Sequence, residues 1–154
     1  MASTADDATR EDVRRAGLTA DGPLPRLLSL LRTAEETHFD AAEAQRLAVE
    51  SGLAIGRAEL AGMLDTMVAH GLLGRVPTTG GAALYDTILR PHSHMLDEAT
   101  AMMVDLDVSP ETLSAIVARA IAEQPGRVEV LLRIRAPEKA PGGPARRGRP
   151  RRGG

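Results

Sequence analysis

Residues 56–86 read GRAELAGMLDTMVAHGLLGRVPTTGGAALYD, and the period of the apolar positions changes within them. Leu60, Met63, Leu64, Met67 and Val68 fall at i, i+3, i+4, i+7 and i+8, which places them on one face of a helix over about 56–70. Gly71 is a residue that ends helices. Beyond it, Leu72 to Val76 reads as a strand, Thr78-Thr79-Gly80-Gly81 as a turn and Ala82 to Asp86 as the returning strand. A helix running directly into a hairpin is the end of a winged helix-turn-helix, with the 56–70 helix in the recognition position.

Working upstream, two more helices complete that unit, preceded by a short one at about 8–16. Leu24, Leu27, Leu28 and Leu31 recur at helical spacing over 24–33. Asp40 stands three residues before Glu43, a capping pattern that opens a helix to about Ser51, stopped by Gly52. His38 falls in the loop before it. Residues 1–8 are small and polar and are expected to be disordered.

Downstream, Arg90-Pro91 opens a second unit. Strands are predicted at about 92–96 and 102–106, and Ser109-Pro110-Glu111 is a helix start. Leu113, Ile116, Val117, Ala120 and Ile121 form the apolar stripe of that helix. Val128, Val130, Leu132 and Ile134 then alternate with charged residues, a strand with one buried face. A sheet this small is not stable alone and is expected to bury its apolar face against a second copy. The fold class is α+β: a winged helix-turn-helix domain over 1–86, a small α/β dimerisation domain over 87–135, and a disordered basic tail over 136–154.

Composition bounds what this can do. Phe39 and Tyr85 are the only aromatics among 154 residues, so base-stacking platforms are excluded and the core is aliphatic. There is no cysteine, which excludes thiolate zinc sites and a cysteine nucleophile. No apolar run has the length of a membrane span, and the first residues do not resemble a signal peptide, so a cytoplasmic location is expected. No nucleophile–base pair or phosphate loop is visible, and an enzyme is not expected. The net charge of −2 is uneven: residues 136–154 carry six basic residues against one acidic residue, a net +5, which leaves −7 on the rest. Such a split concentrates any nucleic-acid contact in patches.

Four histidines occur, at 38, 70, 92 and 94. His92 and His94 lie two apart on a predicted strand and share a face, with Asp86 before them and Asp105 on the next strand. Imidazole and carboxylate together suit Fe²⁺, Mn²⁺ or Zn²⁺. On spacing alone, a His-x-His pair is more often ordinary surface, Asp86 also reads as a strand end, and Asp105 as a solvated edge residue. His70 reads as a partner for helix C-terminal carbonyls.

The order of short pieces from about 16 to 135 resembles the ferric uptake regulator (Fur) family. Ala16-Gly17-Leu18 with Leu24-Pro25-Arg26-Leu27 resembles its opening helix, and Gly71-Leu72-Leu73-Gly74-Arg75-Val76 its wing entry. Leu84-Tyr85-Asp86, His92-Ser93-His94 and Val104-Asp105-Leu106 resemble its sensing region, and Leu131-Leu132-Arg133-Ile134-Arg135 its last strand. The resemblance implies a homodimeric metal-responsive DNA-binding regulator. It implies one divalent metal per subunit, Fe²⁺ or Mn²⁺ with Zn²⁺ also compatible, held by His38, Asp86, His92, His94 and Asp105. Three His and two Asp is the set of the peroxide-sensing branch and is similar to the iron response regulators. A Cys-Pro haem motif is absent, and a histidine-based mode of haem binding stays open.

Three departures from the family stand out. Asp97 and Thr100 occupy positions of one missing CxxC pair. Pro91, Ser93 and Val130 replace ligands of an additional metal site. In the recognition helix Glu59-Leu60-Ala61-Gly62 replaces a Thr-Val-Tyr-Arg-like stretch. Arg57, Arg75 and Arg26 remain as candidate contacts to promoter DNA. Arg147 and Arg149 lie in Arg-Gly-Arg-Pro, which resembles an AT-hook that enters the narrow minor groove of A·T-rich DNA. The competing reading is a divergent protein of this fold that reads no specific sequence and acts as a metal-dependent dimerisation partner or a nucleoid-associated protein through this tail.

Overall fold

The computed structural model describes residues 5–78, 81–100 and 102–134. They fall into two compact units that divide between Asp107 and Val108. The first holds four helices and five strands in the order α1 (Asp7–Arg15), α2 (Pro23–Thr33), β1 (His38–Phe39), α3 (Ala41–Glu50), α4 (Arg57–Ala69), β2 (Gly74–Val76), β3 (Leu84–Asp86), β4 (Ser93–Asp97) and β5 (Met102–Leu106). Sheet order is β1-β3-β2 in one antiparallel sheet and β4-β5 in a second. This is the expected α+β winged helix, extended by a hairpin.

Its core is the one the periodicity implies. Leu27, Leu28 and Leu31 of α2 and Leu60, Leu64 and Met67 of α4 are buried, and Ala44 and Ala48 of α3 pack in the same cluster. Each large aliphatic side chain removed from water there contributes about 1.5–3 kcal/mol. The only two aromatics stack on each other, with Phe39 and Tyr85 ring centroids 5.8 Å apart. They sit opposite one another in the β1–β3 ladder.

Helix ends are set by short polar devices. At α3 a full capping box forms: Glu43 N–H donates to Asp40 Oδ1 at 2.8 Å, and Asp40 N–H donates to Glu43 Oε2 at 2.9 Å. At the end of α4, Gly71 takes φ +71°, and Leu72 N–H closes onto Met67 O at 2.8 Å. His70 Nδ1–H donates to Ala16 O at 2.9 Å. Its partner is thus a carbonyl at the end of α1 rather than of its own helix.

The β4–β5 turn is closed by hydrogen bonds to the side chains of Asp97 and Thr100. Asp97 Oδ1 accepts from Ala99 N–H at 2.9 Å, and Thr100 Oγ1 accepts from Met102 N–H at 3.4 Å.

The second unit contains α5 (Pro110–Glu123), capped by Ser109 Oγ accepting from Thr112 N–H. No residue of α5 is buried. The expected strand over 128–134 does not form; Val130, Leu131, Leu132 and Ile134 are 60–86% exposed. Alternation assigns side chains to faces but supplies no ladder partner, and a strand is defined by its partner. The expected three-stranded sheet is therefore the two-stranded β4–β5. Among the described residues no helix is long and apolar enough to cross a membrane.

Candidate metal centre

Strand register builds the site in two halves. In the first sheet His38 of β1 stands directly opposite Asp86 of β3. In the hairpin His94 of β4 stands directly opposite Asp105 of β5. Directly opposed side chains have Cβ atoms about 5 Å apart, so each pair is in reach before any tertiary contact forms. His92, two residues before His94, keeps the same face. β1 was not expected as a strand; its two residues pair because Phe39 seeks the core while the capping box fixes the chain direction just after it.

The donor atoms of His38, Asp86, His92, His94 and Asp105 all lie within 4.8 Å of one another. The three Nε2 atoms converge on one oxygen of each carboxylate. From Asp86 Oδ2, the nitrogens of His38, His92 and His94 lie at 3.5, 3.1 and 3.2 Å. From Asp105 Oδ1 they lie at 3.0, 2.9 and 3.4 Å. Donors about 2.1 Å from a shared centre and at right angles to each other are about 3 Å apart, so these spacings match a first-row divalent ion. His38, Asp86 and His92 side chains are 8, 4 and 6% exposed, and His94 and Asp105 18 and 23%, so the centre opens on one side only.

A buried atom tests whether a metal fits. His38 Nε2 has no hydrogen-bond partner, although Asp105 Oδ1 is only 3.0 Å away. Such an atom costs about 1–3 kcal/mol unless something satisfies it. Proximity without hydrogen-bond alignment is what a lone pair directed at a shared centre gives. Burial pushes His94 below the ordinary imidazole value; the His92 and His38 rings act the same way, while Asp86 and Asp105 oppose. Neutral imidazole is the form that binds metal. Two carboxylates balance the charge of a divalent cation, and three nitrogens with two oxygens suit Mn²⁺, Fe²⁺ or Zn²⁺. The residues fit the group.

Outer contacts orient the donors. His92 Nδ1–H donates to Arg90 O at 2.7 Å, which leaves Nε2 as the lone-pair nitrogen. Ile88 N–H donates to Asp86 Oδ1 at 2.7 Å, which leaves Oδ2 for the centre. Thr37 Oγ1 lies 3.4 Å from both His38 Nδ1 and Asp105 Oδ2. Sequence reasoning did not reach these partners. Two of the three are main-chain groups, for which the only sequence signals are the Asx-type turn at Asp86-Thr87-Ile88 and the extended backbone that Pro91 imposes on Arg90.

The candidate DNA contacts sit on three elements. Arg57 is the exposed first residue of α4, Arg26 is half-buried in α2, and Arg75 lies on β2. The Arg75 guanidinium is 5.7 Å from the Tyr85 ring centroid, and Nη1 is 3.8 Å from Asp65 Oδ1. Tyr85 in turn donates to Asp65 Oδ1 at 3.2 Å. Glu59 is exposed on α4. Arg147 and Arg149 lie outside the described residues.

No protein-family model matches the chain. A ferric uptake regulation protein of Pseudomonas fluorescens is 31% identical over 101 residues, 65% of this chain and 81% of that protein. One from Pseudomonas aeruginosa is 28% identical over 95 residues, 61% of this chain and 71% of that protein. The solved structure of the ferric uptake regulator from Pseudomonas aeruginosa with manganese superposes with a TM-score of 0.62 at 24% identity, covering 80% of this chain and 92% of that one. A zinc-bound manganese uptake regulator gives 0.57 at 22%, covering 82% and 93%. The structures establish the shared fold, and the first relative's identity and coverage establish the lineage. The chain belongs to the ferric uptake regulator family.

Proposed function

We propose that the chain is a metal-responsive transcription regulator that binds promoter DNA as a homodimer in the cytoplasm. The observation that carries this reading is the convergence of His38, Asp86, His92, His94 and Asp105 on one centre. The ion is Fe²⁺ or Mn²⁺, with Zn²⁺ compatible; when bound, it supplies the positive charge that offsets the two carboxylates. His38 and Asp86 belong to the sheet that carries the wing, and His92, His94 and Asp105 to the hairpin. Holding all five together favours one arrangement of hairpin against wing, and only that differential affinity can shift a conformational equilibrium. Arg57 and Arg75 at the recognition helix and wing, with Arg26, contact the operator. Arg147 and Arg149 add a minor-groove contact that favours A·T-rich DNA. The exposed Val130, Leu131, Leu132 and Ile134 support a second copy as the partner of residues 87–135.

One titration tests this. Wild type and His92→Ala are titrated with Mn²⁺, and binding to DNA upstream of the protein's own gene is read in the same samples. The expected result is one ion per subunit and metal-dependent DNA binding in wild type, with both lost in His92→Ala. Absence of any shift of promoter DNA with Mn²⁺ present overturns the regulator reading. The exposed Glu59 favours one further comparison, because a carboxylate on the recognition helix opposes phosphate. Deleting residues 141–154 is expected to weaken binding yet leave operator selectivity. Loss of all DNA binding would assign it to the tail.

A further inference from the structure

We propose that Thr37 is a positioning residue of the metal centre, its single hydroxyl setting both the tautomer of His38 and the oxygen that Asp105 presents. The inference rests on the metal-centre reading above. Thr37 Oγ1 lies 3.4 Å from Asp105 Oδ2 and 3.4 Å from His38 Nδ1. An ionised carboxylate only accepts, so the one hydroxyl hydrogen goes to Asp105. Toward His38 the oxygen then has only lone pairs to offer. Nδ1 must therefore carry the ring hydrogen, and the lone pair falls on Nε2, the buried atom with no hydrogen-bond partner that faces the other donors. On Asp105 the same contact occupies Oδ2 and leaves Oδ1, the oxygen 2.9–3.4 Å from all three imidazole nitrogens.

Two further observations support this. Outer contacts of Asp86 and His92 come from main-chain groups, Ile88 N–H and Arg90 O. For His38 and Asp105 the contact comes from a side chain, and one joining the two sheets: Thr37 precedes β1, and Asp105 is in β5. Moreover, Thr37 is held without its hydroxyl, because its carbonyl accepts from Thr87 N–H at 3.0 Å and extends the β1–β3 ladder. At 3.4 Å both hydroxyl contacts are long. They contribute little to stability, and their effect falls on donor orientation.

Thr37→Val removes the hydroxyl at nearly constant shape, and Thr37→Ser retains it. The full chain is compared in three ways. Co²⁺ affinity by chelator competition is expected to fall by roughly 10–100-fold in Thr37→Val and to recover in Thr37→Ser. The visible spectrum of bound Co²⁺ is expected to change in Thr37→Val as Asp105 is freed to use either oxygen. In the metal-free protein, ¹⁵N imidazole spectra are expected to show His38 protonated at Nδ1 in wild type and Thr37→Ser and as mixed tautomers in Thr37→Val. The melting temperature of the metal-free chain is expected to stay unchanged, which separates positioning from folding. Thr37→Ala replaces Thr37→Val if valine disturbs β1. If wild type binds Co²⁺ and Thr37→Val matches it in affinity and spectrum, the inference is overturned alone. If wild type binds no Co²⁺, the metal-centre reading fails and takes this inference with it.

Discussion

Helix α4 buries Leu60, Leu64 and Met67 to 1% exposure or less, whereas α5, one residue longer, buries none of its stripe. Capping runs the other way. Gly56 opens α4 without a side-chain hydrogen bond, while Ser109 caps α5 and Pro110 occupies its first turn. The better-started helix is the less buried one. Local chemistry thus decides whether a helix exists, and neighbours decide whether its apolar face counts toward stability. For α4 those neighbours are α2, α3 and the first sheet; for α5 and the run from Val128 to Ile134 the proposed neighbour is a second copy.

Substitution in the two stripes should break or sharpen this contrast most directly. Leu64→Ala is expected to cost about 2–5 kcal/mol in denaturant unfolding of the first unit, by lost burial and a cavity. Ile116→Ala in half-exposed α5 should cost under about 1 kcal/mol at dilutions where the chain is monomeric. Equal losses would show that α5 is already closed within one chain. Metal should act on the first unit alone, since all five donors lie there. At a free Mn²⁺ concentration one hundred times Kd, unfolding should become about 2.7 kcal/mol harder, reversibly with chelator, and Asp86→Asn should abolish most of that gain.

The double change Leu132→Asp and Ile134→Asp is expected to convert dimer to monomer in sedimentation while leaving the denaturation midpoint of the first unit in place. An unaltered sedimentation coefficient would place the subunit contact elsewhere. The smallest effect concerns Asp6, the cap of α1. The Ser29 hydroxyl, then the amide and hydroxyl of Thr9, hold its carboxyl down to about 2 from 3.8. A carboxyl lowered by folding stabilises above the unfolded value and loses that contribution as pH falls through the folded one. Acid unfolding between pH 4 and 2 should therefore have an Asp6 component in the first unit. Asp6→Asn should flatten it, and an unchanged acid limb would remove Asp6 from the account.

The same contrast explains how far the sequence could be read. Helix spacing in α4, the Asp40–Glu43 box and the Ser109-Pro110 start are encoded within a few residues, and each appears where expected. All five donors are legible from a resemblance joined to residue type, and their donor atoms lie within 4.8 Å of one another. What escaped depends on distant partners. Residues 38–39 become a strand only because Tyr85 and Asp86 lie opposite. His70 faces a carbonyl fifty-four residues away. The alternating run at 128–134 has the pattern of a strand and, among the described residues, no strand to join. Thr37 carries no motif at all; it neighbours His38 along the chain, and its place beside Asp105 comes from a contact between the two sheets that neither sheet's register encodes.

That register has a kinetic consequence. Because His38 is paired with Asp86, and His94 with Asp105, the donors are preassembled as two jaws, not five independent arms. Residues 87–91 tether one jaw to the other, so each meets its counterpart at a high effective concentration. Parting the jaws would separate the donor sets in one movement. A five-residue tether would then make re-closing, rather than first encounter, the step that the chain favours.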